Sequence, residues 1–233
     1  MSIFTYHLVK TSYLSAIKAM VFPPKPYNVP GLVHAECMLA MTLGAPVFSS
    51  SRILARQVVL FAQWENETAI DHFLKRHWLG RILKGGWHTR LIFTRQWGKF
   101  QNFRIPDENL VAQSENGCVV AVTIARMKFI EIPRFIRWGR PVEKLVRDHP
   151  GTTLSLASIK FPNTVSTFSI WRNQKEMTDM VHGRSSVQKP KRHAKAMQER
   201  DRRDFHFEFT TLRFKPISEE GKWGGRTNFI DKK

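Results

Sequence analysis

Apolar and polar positions alternate along VVLFAQW, residues 58–64, and the pattern then changes to helical spacing, with Ile70 and Phe73 on one face. The same change occurs at an offset of 107 residues, where VSTFSIWRNQKEMTDM (165–180) lies over VVLFAQWENETAIDHF (58–73). Phe61 falls on Phe168, Trp64 on Trp171, Asn66 on Asn173, Ile70 on Met177 and Phe73 on Met180. Each copy therefore reads as a strand ending at Trp, an Asn whose side chain caps free amides, and an amphipathic helix. The flanks correspond as well. In the first half, residues 3–8 read as a strand, 12–21 as a helix, 32–42 as a strand after Pro30-Gly31, and 87–100 as an aromatic final strand. In the second half the equivalents are 117–125, 131–147, 152–159 after the DHPG turn, and 205–215.

Each half thus has the order βαββαβ, the ferredoxin-like arrangement. A four-stranded sheet with helices on one face leaves its other face bare, and two such sheets can bury those faces against each other. The pattern predicts an α+β fold of two tandem ferredoxin-like halves packed sheet to sheet as an intrachain α+β barrel. The expected divisions are residues 1–103, a linker at 104–110, a second half at 111–216 and an irregular tail at 217–233. Period-two alternation places Phe61, Phe168 and Ile170 in the core and turns Ser169 to the opposite face.

With 233 residues, 42% of them hydrophobic and including 17 Phe and 7 Trp, the chain can build a sizeable core. Mean hydropathy is −0.32, and no run approaches the roughly 18 apolar residues of a membrane-spanning helix. The opening MSIFTYHLVK lacks a basic leader followed by an apolar run. Cys37 and Cys118 are too few for a disulfide framework or a cysteine zinc site and read as small buried hydrophobes, which points to a reducing, cytoplasmic setting. The net charge of +18 changes the picture more. Residues 126–147 hold seven basic side chains against Glu131 and Glu143, and residues 184–233 carry a further excess. Such a surface attracts polyanions and suits peripheral contact with the inner face of an anionic membrane.

The nine histidines suggest zinc, but His72 and His77 stand five apart with no His-Glu-x-x-His pattern. No nucleophile elbow, Walker loop or dinucleotide fingerprint is present, and Gly85-Gly86 and Gly224-Gly225 read as turns. More suggestive is the stretch 180–214. Pro190 is expected to break the helix begun after Asn173, and a second helical run at 191–202 sets His193, Met197 and Arg200 on one face. If that face looks into the barrel mouth, His193 can offer a neutral imidazole to a metal or haem iron. Arg126 and Arg200 then suit propionates, and a barrel lined by Phe, Trp and Met offers an apolar slot.

The run Thr167-Phe-Ser-Ile-Trp171, followed by a helix, a His, an Arg and a final strand ending Leu212-Arg-Phe214, resembles the C-terminal half of the spheroidene monooxygenase family, the acyclic carotenoid ketolases. Val120-Ala-Val-Thr-Ile-Ala-Arg126, Phe135 and Pro150-Gly151 resemble the family's upstream strand, helix and turn. The resemblance is best over residues 117–216 and collinear over 1–103. It implies a haem-dependent monooxygenase acting on a long apolar polyene in a dimeric α+β-barrel-type fold, with an electron-donor protein as partner. It also implies that His193 matches the family's helical His and that Arg126 matches its strand-end Arg; the sequence itself leaves His182 as the next candidate ligand. The chain departs from the family in the basic GRSSVQKPKR before His193 and in Phe205, where an aromatic pair is usual. Two other classes compete: a nucleic-acid or anionic-surface binding module, disfavoured by the absence of an RNA-binding sheet motif, and a cofactor-free barrel oxygenase.

Overall fold

The structure is a computed structural model that describes residues 2–46, 49–100, 103 and 117–230. Its first half comprises β1 (Ile3–Lys10), α1 (Tyr13–Val21), β2 (Leu32–Met41), β3 (Ile53–Trp64), α2 (Glu67–Arg76), α3 (Trp78–Lys84) and β4 (Trp87–Lys99). The second half repeats the order with β5 (Val119–Met127), a single 3-10 turn (Phe129–Glu131), α4 (Ile132–Arg147), β6 (Thr152–Lys160), β7 (Thr164–Trp171), α5 (Gln174–Val181), α6 (Arg192–Arg202) and β8 (His206–Glu220).

The strands close into one antiparallel barrel in the order β1-β3-β2-β6-β7-β5-β8-β4. Each half contributes its four strands in the ferredoxin-like order, and the two sheets face one another while joining at both edges. The β4–β8 seam is long, running from His88 opposite Glu220 to Lys99 opposite Phe209. The β2–β6 seam is short, from Leu39 opposite Ile159 to Met41 opposite Ala157. Closure leaves no free sheet edge, which removes the aggregation hazard that an open edge presents.

The duplication holds in detail. Trp64 lies opposite Ile3 and Leu32, and Trp171 opposite Val119 and Thr152, so both end their strand between the same two neighbours. Each indole is buried on the outer sheet face and donates to a hydroxyl, Trp64 to Thr5 and Trp171 to Ser169, both at 2.8 Å. Two residues on, Asn66 accepts the amide of Ala69 at 2.9 Å and Asn173 that of Glu176 at 2.8 Å, starting α2 and α5. Phe61, Phe168 and Ile170 point inward and are fully buried, while Ser169 turns to the outer face.

Some local expectations differ. A short helix, α3, follows α2 directly, with His77 ending one helix and capping the next through its ring nitrogen on the amide of Leu79. Helix α5 ends at Val181, well before Pro190; Gly183, at φ 71°, takes the left-handed turn that stops it. The final strand continues through Glu220, past the boundary expected at residue 216. Beyond it the chain folds back, and the amides of Phe229 and Ile230 donate to Glu219, which sets those two side chains against the barrel core. The predicted linker, 104–110, lies outside the described residues.

The barrel interior is solid. Phe4, Tyr6, Phe61, Trp87, Phe168 and Phe214 fill it with no exposed surface, and Tyr6 stacks on Phe168 with ring centroids 3.8 Å apart. The apolar slot expected from the sequence is thus occupied by the protein's own rings, because large aromatics come from both facing sheets. Space for chemistry has to be sought in the outer layers.

Candidate functional site in the outer layer of the C-terminal half

Helices α4, α5 and α6 cover the outer faces of β5, β6 and β7 and the start of β8. The floor beneath them is apolar and aromatic: Ala125 and Met127 from β5, Phe205 and Phe209 around β8, and Phe135 and Trp138 from α4. Helix α4 opens with Pro133 in its first turn, where a missing amide costs nothing, but it also carries Pro141 in its interior. That proline cannot donate to the carbonyl of Arg137, four residues earlier.

A network of charges pins α6 to α4. Arg134 donates to Glu131 at 2.5 Å and to Glu199 at 2.8 Å, and its guanidinium also donates to the carbonyls of Glu199 and Arg203. Arg203 pairs with Glu131 from the other side. These arginines, with Arg202 beside Glu199, hold the Glu199 carboxyl down to about 2 and Glu131 below its usual range.

Next to this pinned end the helices part into a groove formed by two overlapping hollows of about 280 and 240 Å³. Its walls carry six cations: Arg137, Arg140 and Lys144 from α4, and Lys189, Arg192 and Lys195 from α6 and its approach. Trp138, Pro141 and Ile136 supply the apolar lining. Among the described residues none of the six pairs with a carboxylate within 4 Å, and the nearby Asp148 is engaged by Arg147 through two bonds, 2.7 and 2.9 Å. Asp148 offsets Lys144 and Arg192 only at longer range, and cations without a direct carboxylate partner in a concave, partly apolar site favour an anionic ligand.

His193 lies on α6 one residue after Arg192. Its Nδ1 stands 3.1 Å from the carbonyl of Val181, so that nitrogen carries the proton and Nε2 keeps its lone pair. Burial lowers its pKa, with His182 and Arg200 adding repulsion, so the ring is neutral at physiological pH. The residue is half-buried, and Nε2 has no partner among the described residues.

The sequence-predicted group converges only in part. His193 and Arg200 share the inner face of α6, where Arg200 lies 4.9 Å over the Phe209 ring and pairs with Asp201. Arg126 does not join them. It continues the inward row of Val120, Val122 and Ile124, reaching a barrel end, where it pairs with Glu208 at 3.1 Å and lies 5.6 Å from the Phe100 ring. Strand alternation sends it to the opposite side of the sheet from α6. The expected barrel-mouth location of His193 is likewise corrected, since α6 packs on α4 outside the barrel. His182, the second candidate, ends α5 and is exposed.

Sequence reasoning passed over His206. It opens β8 within Phe205-His-Phe-Glu-Phe209, is 5% exposed, and packs on Phe209, Phe135 and Phe205. Its Nδ1 bonds Asp204 at 2.8 Å, while Nε2 is buried without a partner. A histidine alternating with phenylalanines was the available signal.

No protein-family model and no curated protein matches this sequence. Solved structures do match in architecture. An aldoxime dehydratase superimposes with a TM-score of 0.52 at 10% identity, covering 93% of this chain and 82% of that one, and a butyraldoxime complex of an aldoxime dehydratase gives 0.51 at 8%, covering 93% and 80%. A ferredoxin-fold protein from Listeria monocytogenes, related to antibiotic biosynthesis monooxygenases, has 12% identity over 94% of this chain and 97% of its own, with a TM-score of 0.31. The likeness is one of fold.

The donor chemistry fits haem at His193, where a tautomer fixed through Nδ1 leaves a neutral Nε2, the form iron ligation needs. The groove cations fit carboxylates, whereas Arg126 has no path to the same site.

Proposed function

We propose that this chain is a haem-dependent monooxygenase acting on an apolar, carotenoid-like substrate, with its cofactor held in the outer layer of the C-terminal half. The observation that carries the reading is His193, a neutral imidazole with one nitrogen tied to a backbone carbonyl and the other free, on the helix whose Arg192 and Lys195 line a groove of cations. Haem, when bound, would supply the oxygen chemistry. The chain's own residues do the rest. Val181 fixes the His193 tautomer, and burial spares the ring a proton that ligation would otherwise have to displace. Arg137 and Arg192 suit the propionates because a guanidinium pairs with a carboxylate through two parallel bonds. Phe135, Phe205 and Phe209 exclude water and offer an apolar wall. Oxygen insertion consumes reducing equivalents, and the remaining groove cations suit an acidic electron-donor protein.

The test is a hemin titration followed by absorption spectroscopy. Wild type is expected to develop a Soret band that His193→Ala abolishes and His206→Ala retains. Arg137→Ala with Arg192→Ala should weaken hemin retention, while Arg126→Ala, on the other side of the sheet, should not. An unaltered spectrum in His193→Ala would refute the ligand assignment. A wild type that takes up no hemin would leave the groove to a second reading it also favours, an anion-binding module, whose affinity should fall steeply with salt.

A further inference from the structure

Helix α1 is built the opposite way round from an ordinary surface helix. Its small residues Ala16 and Ala19 face the sheet, and its large apolar side chains face solvent. Tyr13, Leu14, Ile17 and Val21 are 60% to 81% exposed and fall within one helical face. Phe22 and Tyr27, in the segment that follows, extend the same exposed run. Core packing does not account for this face, since the sheet beneath is already covered by the alanines.

The charges around it select a partner. The first 35 residues contain no Asp or Glu, while Lys10, Lys18 and Lys25 are exposed at the margin of the face. Arg56 lies 5.6 Å from the Tyr13 ring and Lys25 5.6 Å from the Tyr27 ring, so cations and aromatic rims are interleaved. A second copy of this chain would bring the same cations against themselves in a molecule of net charge +18, which is repulsive. Tyrosine and phenylalanine at the rim, aliphatic side chains at the centre and lysines that can reach outward match the headgroup region of an anionic bilayer.

We propose that the outward face of α1 is a membrane-docking surface that enters the interface of an anionic bilayer. This surface goes beyond the cofactor reading and would give an apolar substrate dissolved in lipid a route to the protein. Its test needs no haem, so the two readings fail separately.

The experiment is flotation of the purified chain with vesicles of phosphatidylcholine alone and with 30% phosphatidylglycerol, the two contents differing in charge only. Binding is expected to the anionic vesicles and to be weak with the neutral ones. Leu14→Asp with Ile17→Asp should lower it by at least about tenfold, since each side chain buries apolar area. Lys18→Ala should lower it about fivefold. Unchanged melting curves for these exposed sites will show that the fold is intact. Arg137→Glu with Arg192→Glu, in the distant groove, should cost less than the α1 pair. The proposal is overturned if wild type ignores anionic vesicles or if the α1 variant binds as wild type does. It is also overturned if the groove variant alone loses binding, or if light scattering finds a dimer that the Leu14 substitution dissociates.

Discussion

Emptying the barrel at Phe168 tests the central packing claim. The ring is fully buried, stacks on Tyr6 at 3.8 Å and 20°, and meets the Trp87 indole edge-on at 6.0 Å. Phe168→Ala forfeits the transfer free energy of the ring together with contacts its neighbours cannot recover, about 3–5 kcal/mol for a buried phenylalanine. The two aromatic pairs add about 0.5–1.5 kcal/mol each beyond area alone. Relaxation should recover little. Strand β7 is hydrogen-bonded on both sides, to β5 and to β6, within a closed barrel, so its backbone cannot move inward without breaking the ladder. The expected loss is therefore at the upper end, about 4–5 kcal/mol. Urea denaturation followed by tryptophan fluorescence measures it, as a lower midpoint at unchanged slope. Phe161→Ala, at a site 61% exposed, serves as the control and should cost under about 0.5 kcal/mol. A loss below about 1 kcal/mol at Phe168 would show that the ring does not fill a rigid interior.

Two further perturbations probe the seam and the pH dependence. Glu143 on α4 accepts both guanidinium nitrogens of Arg52, at 2.6 and 3.0 Å, and the amide of Gly44 at 2.8 Å, tying the β2–β3 connection to the other half. Glu143→Ala strands a half-buried cation and should cost about 3 kcal/mol in the same urea assay; a change under about 0.5 kcal/mol would mean that water replaces the carboxylate. His7 and His88 stack at 5.0 Å on the outer sheet face, with both ring nitrogens of His7 unpartnered and His88 Nε2 3.6 Å from Glu220, and burial followed by His88 and Arg90 repulsion lowers the pKa of His7. The folded ring stays neutral where the unfolded one takes a proton. The unfolded chain thus binds more protons, and stability is full above the unfolded value of about 6.5 and falls as pH drops below it. His7→Phe should flatten that decline between about pH 6.5 and 5, and an equally steep decline in the variant would refute this origin.

What the sequence reveals of this molecule divides along physical lines. The strand–cap–helix unit is local: period-two alternation, a Trp, an Asn two residues on and a helical stripe all lie within sixteen residues, so the duplication and the inward Phe61, Phe168 and Ile170 are readable in one dimension. Barrel closure follows because two sheets with one bare apolar face each have few ways to cover it. The site is less legible because it depends on which side of a sheet each residue faces after bulges and crossovers. Arg126 shares a strand with outer-face residues yet points inward. Helix α6 lies outside the barrel because the aromatics of both sheets already fill it, a matter of summed volume that no local pattern reports. Helix α3 and the early stop at Gly183 turn on single caps, and His206 was hidden among phenylalanines that read as core.

Equivalent positions in the two halves have diverged where the barrel leaves them free to do so. The inner faces are constrained by one another, since a larger ring on one sheet demands a smaller one opposite, and both copies keep Phe there, at 61 and 168, while Trp64 and Trp171 hold equivalent places on the outer face. The first helix of each half has no such counterpart. Helix α1 is nine residues long, lays alanines on the sheet and turns aromatic and aliphatic side chains outward. Helix α4, its equivalent, is sixteen residues long, packs Phe135 and Trp138 inward and lines the groove beside α6 with Arg137, Arg140, Pro141 and Lys144. With the interior packed by the chain's own rings, the outer layers are where the two halves differ most. If one half docks on lipid and the other binds an anion, as proposed, a charge-reversing change in either should leave the other's ligand affinity within about twofold, because a closed and filled barrel lies between them.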